Sequence, residues 1–317
     1  MLPGELPQCG FARRLATAED GELAPARHQL GQDCNNHVDA FLMGQSAHHA
    51  NQRNGGVHVE PHVLLQRAFI HAFIGQIVGI LNGIDEKSWN PRSDPHIPAH
   101  YDANDLANKR VNKRALQQHM GLDMDAAVPL IGVVSRLTHQ KGIDMIVAVM
   151  PELMARGCQL AILGSGEAAN ETALRQFARQ HPGKIAVKID FDEKLSHLIT
   201  AGIDMFLMPS RFEPCGLNQM YSQRYGTPPI VSATGGLADT VTDCNEATIA
   251  AQTASGIVIH DLQPSGMLTA IDRALTYYRD ASVWPKLQRA GMERDFSWTR
   301  SARRYLDLYQ SLLEAGR

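Results

Sequence analysis

A strand followed by a loop and a helix is encoded by the passage Ile203-Asp204-Met205-Phe206-Leu207-Met208-Pro209-Ser210-Arg211-Phe212-Glu213-Pro214-Cys215-Gly216-Leu217. Its apolar start has the length of a buried parallel strand, and the residues from Leu217 to Tyr225 have helical spacing. Backbone N–H groups in the first turn of such a helix lack partners within the helix and point into the crevice. They suit a negatively charged ligand, and Glu213 would lie beside them at the carboxyl end of the strand.

Taken alone, this passage also fits a plain turn with a solvated glutamate, so the surrounding pattern has to decide. Short apolar runs predict strands at 77–81, 129–134, 159–163, 184–189, 203–208, 229–232 and 256–259. Helical spacing predicts helices at 105–120, 143–156, 167–180, 192–201, 217–225, 265–278, 283–293 and 299–314. This alternation predicts an α/β fold with a doubly wound, parallel, Rossmann-like sheet. The last helix is rich in apolar residues and needs a surface to pack against.

Composition limits the class of protein. The 317 residues are 44% hydrophobic and 20% charged, which is typical of a soluble globular chain. The net charge of -3 gives no indication of a nucleic-acid-binding surface. The five cysteines are widely spaced without a C-x-x-C motif, which favours reduced thiols in a cytoplasm over disulfides or a zinc site. The N-terminus lacks signal-peptide regions, and the apolar stretch 63–81 contains Gln66, Arg67 and His71. We therefore expect no membrane span.

Residues 1–76 differ in composition from the rest of the chain. They contain half of the 14 histidines and are rich in Gln and Asn, with no sustained helix or strand period. Helices are predicted only at 11–23 and 63–73. The sequence His58-Val59-Glu60-Pro61-His62 suggests a metal cluster, but Pro61 interrupts the spacing and no second cluster follows, so we expect no metal. The segment is expected to be a poorly structured domain of its own.

Four loops after predicted strands carry side chains that suit one ligand. Because parallel strands end at the same edge of a sheet, these loops are expected to lie together. Arg136 could hold phosphate oxygens in a fork, Lys141 would add a point charge, and Phe191 could stack on a flat base. Together they predict a diphosphate attached to an aromatic group. The candidates are Arg136, Lys141, Phe191, Glu213, Cys215, Gly216, Leu217, Gly235 and Gly236.

Each candidate also has a plainer interpretation. Arg136 and Lys141 are also consistent with solvated loop charges, Phe191 with an ordinary core residue, and the glycines with simple turns. The Gly235-Gly236 turn is expected to let the backbone approach a ligand closely. The chain has no G-x-x-x-x-G-K-[ST] and no G-x-G-x-x-G after its first strand, which argues against a P-loop NTPase and a dinucleotide oxidoreductase.

From Gly79 onward, the chain resembles bacterial glycogen synthases and plant starch synthases, which are ADP-glucose-dependent glycosyltransferases of the GT-B fold. The matching motifs are 79–85 with Trp89-Asn90-Pro91, Ser135-Arg136-Leu137 with Gln140-Lys141-Gly142, 209–217, 224–227, 234–240 and 296–298. The resemblance implies that residues 77–317 form the C-terminal, nucleotide-sugar-binding half of a GT-B fold.

The resemblance also implies a function. The family transfers glucose from ADP-glucose to the non-reducing end of an α-1,4-glucan, with retention, in glycogen biosynthesis and without a metal or other cofactor. By residue-to-residue match, Arg136 and Lys141 hold the donor diphosphate, Phe191 lies against the adenine, and Glu213 lies at the donor glucose. Further donor contacts are implied at Asn82, Cys215, Gly216, Leu217, Gly235 and Gly236.

The chain departs from the family pattern in several places. Asn218 stands where the family usually has Thr, and Ser232-Ala233 precede the glycine turn where a basic residue is common. No Lys-x-Gly-Gly-Leu loop occurs, and residues 1–76 do not resemble the family's N-terminal domain. An alternative is therefore a truncated, inactive remnant that binds a nucleotide sugar. A sucrose- or trehalose-pathway GT-B enzyme is a third option, but Tyr221 stands where its second Glu would be.

Overall fold

The structure is a computed structural model that describes residues 78–315. The expected poor order of residues 1–76, the helices at 11–23 and 63–73, and the histidine cluster near Pro61 lie outside the described residues. By its contacts the chain divides into two units, Met1–Gly79 and Ile80–Arg317. Among the described helices, none is both long enough and apolar enough to cross a membrane.

Strands and helices alternate along the described residues. The strands are β1 (Leu130–Val134), β2 (Gln159–Leu163), β3 (Ile185–Lys188), β4 (Met205–Met208), β5 (Pro229–Ser232) and β6 (Ile257–Ile259). The helices are α1 (Lys109–Met120), α2 (Ile143–Ala148), α3 (Met150–Ala155), α4 (Ala168–Gln180), α5 (Glu193–Gly202), α6 (Asn218–Arg224), α7 (Gly235–Thr240), α8 (Glu246–Ala250), α9 (Pro264–Arg279), α10 (Trp284–Met292) and α11 (Trp298–Ala315). A 3₁₀ turn spans His139–Lys141.

The strands form one parallel sheet in the order β3-β2-β1-β4-β5-β6, which confirms the predicted doubly wound fold. Apolar side chains are buried on both faces, in one cluster around Ile146 and Leu160 and in another around Leu130 and Phe206. The chain moves outward from β1 to β3 and then returns to β4 beside β1. The topological switch point, where open α/β sheets bind ligands, therefore lies between β1 and β4.

Three local predictions were wrong, and one short helix was not predicted. The run 77–81 was predicted as a strand, but residues 78–83 form none. The next residue, Ile84, makes an isolated parallel β-bridge with Ser297. The helix predicted at 143–156 is broken at Val149, because Pro151 has no N–H to continue the ladder. The predicted glycine turn at 234–237 is the start of α7, and α8 was missed although Asn245 caps it.

The segment before α1 is anchored by a buried aromatic and polar cluster. Trp89 stacks between His197 and Tyr221, with ring centroids 3.7 and 3.9 Å away. Asp94 Oδ2 lies 2.8 Å from His197 Nδ1 and accepts a 2.6 Å hydrogen bond from the Tyr225 hydroxyl. Burial alone would raise the pKa of Asp94, but these hydrogen bonds outweigh it and hold the pKa below its usual range. The carboxylate therefore stays charged and fixes this segment to α5 and α6.

The last helix, α11, presents apolar side chains to solvent, including Leu306, Tyr309, Leu312 and Leu313. Among the described residues, nothing covers this face of the helix. The expectation that α11 packs along this face therefore stays a prediction.

The Lys109 ammonium group of α1 is buried among backbone and hydroxyl oxygens. Its Nζ donates to the Ala201 carbonyl at 2.9 Å and to Thr227 Oγ1 at 2.6 Å. Burial lowers the pKa of Lys109 to about 7, although the Asp204 carboxylate acts in the opposite direction. A neutral amine has two N–H groups, which match these two acceptors.

This burial predicts a pH-dependent stability. Between about pH 7 and pH 10.4, the unfolded chain keeps the Lys109 proton while the folded chain loses it, so stability rises with pH in that window. The wild type should therefore gain stability relative to Lys109→Met as the pH is raised from 7 to 10. Urea unfolding midpoints of both proteins across that range test this, and a constant difference between them would contradict it.

Candidate functional site

A cleft of about 240 Å³ opens at the switch point, between the carboxyl ends of β1 and β4. Its lining combines apolar residues at the strand ends with polar and cationic residues from the two loops that follow. The lining residues are Val133, Ser135, Arg136, Lys141, Leu207, Met208, Ser210 and Asn218. The cleft is therefore positioned by the same sheet topology that places ligands in other open α/β folds.

An ion pair joins the two loops at this cleft. Lys141 Nζ lies 2.5 Å from Glu213 Oε2, and Ser210 Oγ donates to the same oxygen at 3.3 Å. The two side chains are only 17% and 10% exposed, so solvent screens their attraction weakly. Glu213 thus balances the charge of Lys141. An anion bound here would share the Lys141 ammonium with Glu213.

Arg136 supplies a second cation to the same cleft. Its Nη2 donates to Gln140 Oε1 at 3.3 Å, a long hydrogen bond, and the side chain is otherwise exposed. Within residues 78–315, its remaining guanidinium nitrogens have no acceptor. A guanidinium fork and an ammonium therefore border the same cleft, and this combination suits the oxygens of a phosphate or diphosphate.

Glycines bring the loops around the cleft into direct contact. Gly142 has a φ of +71°, and a Cβ there would overlap the Pro209 carbonyl oxygen. Side chains at Gly164 and Gly166 would strike the backbone of the Ser135–Leu137 loop. The Gly164-Ser165-Gly166 turn therefore packs directly against the backbone of the loop that contains Arg136.

Gly235 and Gly236 play a similar part for the Glu213 loop. A Cβ at Gly235 would overlap the Glu213 carbonyl oxygen, and one at Gly236 would overlap the Cys215 carbonyl oxygen. The Gly236 N–H also donates to the Glu213 carbonyl at 3.0 Å. The close approach predicted from these glycines is therefore made to the Glu213 loop, which they position.

The residues that begin α6 present backbone donors. In the described part of the chain, the amides of Cys215, Gly216 and Leu217 have no acceptor, while Gln219 Nε2 donates to the Cys215 and Gly216 carbonyls at 3.1 Å. The Gln219 side chain thus binds the Cys215 and Gly216 carbonyls, and the three backbone amides stay available as hydrogen-bond donors to a ligand. Burial raises the pKa of the Cys215 thiol, partly offset by a backbone hydrogen bond from Asn82, which places Asn82 beside this loop.

The predicted site residues are only partly brought together. Arg136 and Lys141 line the cleft, and Glu213 is joined to it through Lys141. Phe191 is 87% exposed, which excludes a core role, but it follows β3, two strands away from β1, and does not line the cleft. A flat ligand group would have to extend along the rim from the cleft to reach it.

Of the eight lining residues only Arg136 and Lys141 were predicted as site residues, and two of the other six, Ser210 and Asn218, make contacts that shape the cleft. Ser210 contacts Glu213, and Asn218 Nδ2 donates to the Val134 carbonyl at 2.7 Å, joining α6 to the end of β1. Both are polar residues directly after a strand or at the start of a helix, a signal that was present in the sequence. Within the described residues, no group of three or more His, Cys, Asp and Glu side chains could hold a metal ion.

Comparison of the sequence with known proteins shows which family the chain matches. Residues 121–281 match the family model described as "Glycosyl transferases group 1". A glycogen synthase of Nitrosospira multiformis is 56% identical over 241 residues, covering 76% of this chain and 48% of that protein. A glycogen synthase of Aromatoleum aromaticum is 50% identical over 259 residues, covering 82% of this chain and 52% of that protein. The chain spans about half the length of the curated relatives it matches.

Solved structures show the same fold. The catalytic domain of Starch Synthase IV from Arabidopsis thaliana, bound to ADP and acarbose, superposes with a TM-score of 0.71 at 36% identity, over 77% of this chain and 50% of that one. A sucrose-phosphate synthase from Thermosynechococcus elongatus superposes with a TM-score of 0.54 at 22% identity, over 79% of this chain and 57% of that one. The second likeness concerns the fold alone.

Proposed function

Because this chain belongs to the glycosyl transferases of group 1, we propose that its cleft binds ADP-glucose for the retaining transfer of glucose to an α-1,4-glucan. The proposed reaction is that of a hexosyltransferase in glycogen biosynthesis. Support comes from the glycogen synthases at 50–56% identity and from the starch synthase domain that was solved with ADP and acarbose. The observation that carries the proposal is the pairing of Lys141 with Glu213 beside Arg136 at the switch point.

The chemistry follows from the charges at this cleft. The bond between the anomeric carbon of glucose and the diphosphate oxygen breaks, and ADP leaves with the bonding electrons. A glucan hydroxyl oxygen forms the new bond to that carbon, and its proton passes to the departing diphosphate oxygen. Arg136, Lys141 and the free amides at 215–217 would stabilise the charge that grows on the leaving phosphate, without need of a metal or cofactor. Glu213 would stabilise the positive charge that develops on the sugar.

The other proposed donor contacts have a geometric basis. Phe191 is exposed on the rim, where it would stack on the adenine. Asn82, Gly235 and Gly236 would act by holding the Glu213–Leu217 loop rather than by direct contact. The thiols of Cys158, Cys215 and Cys244 are free, which supports a cytoplasmic location.

Two assays test the proposed function. The purified chain is incubated with labelled ADP-glucose and glycogen, and the label in precipitated glucan is counted; ADP binding is titrated separately by calorimetry. Transfer together with binding would support the proposed activity. Binding without transfer would support the alternative, a protein that binds the nucleotide sugar and does not turn it over. Absence of both would contradict the proposal.

A further inference from the structure

Arg211 lies two residues before Glu213 and does not line the cleft. Its guanidinium forms a two-pronged ion pair with Asp144 in the first turn of α2, with Nη1 2.7 Å from Oδ1 and Nη2 2.8 Å from Oδ2. Nη1 also donates to the His139 carbonyl at 2.7 Å. The guanidinium is thus held by three acceptors, two on the carboxylate and one on the 3₁₀ turn that contains Lys141.

Backbone contacts join the same two loops. The Arg211 N–H donates to the Gln140 carbonyl at 2.9 Å, and Gln140 Nε2 donates to the Phe212 carbonyl at 3.3 Å. The loop after β1 and the loop after β4 therefore behave as one connected body. Lys141 follows Gln140 directly, and Glu213 follows Phe212 directly, so the ion pair between Lys141 and Glu213 lies at the edge of this contact.

We propose that Arg211 and Asp144 form a clamp that positions the Lys141 ammonium and the Glu213 carboxylate for a diphosphate-linked sugar. This inference rests on the proposed function, because the position of the two charged groups matters for activity only if an anionic donor binds beside their ion pair. The fork fixes the guanidinium in one orientation, and the guanidinium fixes the 3₁₀ turn through the His139 carbonyl. Arg211 is therefore a positioning residue, which acts through Lys141 and Glu213.

Charge balance favours this role over direct phosphate binding by Arg211. Asp144 takes up both prongs of the guanidinium, so Arg211 adds no free cation to the cleft. Burial alone would raise the pKa of Asp144, but hydrogen bonds from Arg211 hold that pKa below its usual range. An ordinary surface ion pair would contribute only to folding stability, and the two roles predict different experimental results.

The chain offers a matched control for this clamp. Arg156 forms a comparable two-pronged contact with Asp272, through Nε and Nη2 rather than both Nη atoms, with Nε 2.6 Å from Oδ1 and Nη2 2.7 Å from Oδ2. The two arginine side chains are similarly exposed, at 25% for Arg156 and 29% for Arg211. Arg156 follows α3, and Asp272 lies in α9, at neither of the loops that form the cleft.

The test compares Arg211→Met and Arg211→Lys with Arg156→Met in the full chain. We expect Arg211→Met to weaken ADP binding about tenfold and Arg156→Met to leave it within about twofold. Arg211→Lys should stay close to Arg211→Met, because one ammonium cannot hold two carboxylate oxygens and a carbonyl in a planar fork. Hydrogen exchange should become faster at 136–142 and 209–217 in Arg211→Met alone. If Arg211→Met does not fold, Asp144→Asn should give the same faster hydrogen exchange at 136–142 and 209–217.

Three results would overturn the clamp: unchanged ADP affinity in folded Arg211→Met, equal losses in Arg211→Met and Arg156→Met, or full recovery in Arg211→Lys. If the wild type does not bind ADP, the proposed function fails. Hydrogen exchange, which does not depend on ADP, is then the only test of the clamp. In that case, faster exchange in both loops of Arg211→Met, without change in Arg156→Met, would support the clamp. Unchanged exchange would refute it.

Discussion

Replacing Lys141 with methionine is expected to weaken ADP binding by at least about 30-fold, the lower end of the cost of truncating one partner of a buried charge pair. Two losses combine in Lys141→Met. The cleft loses an ammonium that would contact the diphosphate, and Glu213, whose side chain is only 10% exposed, is left without its cationic partner beside the incoming negative charge. Calorimetric titration with ADP measures the change.

Two further variants show whether the loss arises at this pair. Lys141→Met combined with Glu213→Gln should recover part of the ADP affinity, because the uncompensated carboxylate is gone. Lys184→Met removes a lysine that forms an exposed ion pair with Asp123 outside the cleft, and it should bind ADP like the wild type. An affinity for ADP in Lys141→Met within about threefold of the wild type would show that the diphosphate binds elsewhere.

Glu213→Gln is expected to have opposite effects on binding and on glucosyl transfer. Glutamine keeps the shape but removes the charge that balances Lys141, so the ammonium becomes available and ADP should bind a few-fold more tightly. The same change removes the negative charge beside the donor sugar, and transfer should fall at least about 100-fold, as when one electrostatic group is deleted from an active site.

The two readouts for Glu213→Gln are measured separately, by ADP titration and by label transfer from ADP-glucose to glycogen. An unfolded variant would lose both, so the gain in ADP affinity serves as the internal control. Weaker ADP binding in Glu213→Gln would contradict the role of Glu213 as the counter-charge of Lys141. Unchanged transfer would contradict its place at the reacting sugar.

The sequence determined the sheet well because buried parallel strands are continuous apolar runs that end at glycine, proline or polar residues. The residues of β2 and β5 coincide with the predicted runs, and β1 differs by one residue. The run at 77–81 has the same local character, yet within the described residues no strand pairs with 78–81. Strand pairing depends on contacts between distant parts of the chain, which local periodicity does not contain.

The site was predictable in part for the same reason. Arg136, Lys141 and Glu213 follow strands, and the parallel topology alone brings strand ends to one edge. The clamp was not predictable, because Asp144 lies 67 residues from Arg211 and both are common surface residue types. The glycines at 235–236 were recognised as sites of close approach, but their contact with the Glu213 loop appears only in three dimensions.

A crystal structure of the chain with ADP tests the central claim most directly, namely that the loops after β1 and β4 together form one diphosphate site. We expect the diphosphate to lie at the switch point, in contact with both Arg136 and Lys141, with the adenine directed towards Phe191. ADP bound on another face of the sheet, or in contact with neither cation, would contradict the claim.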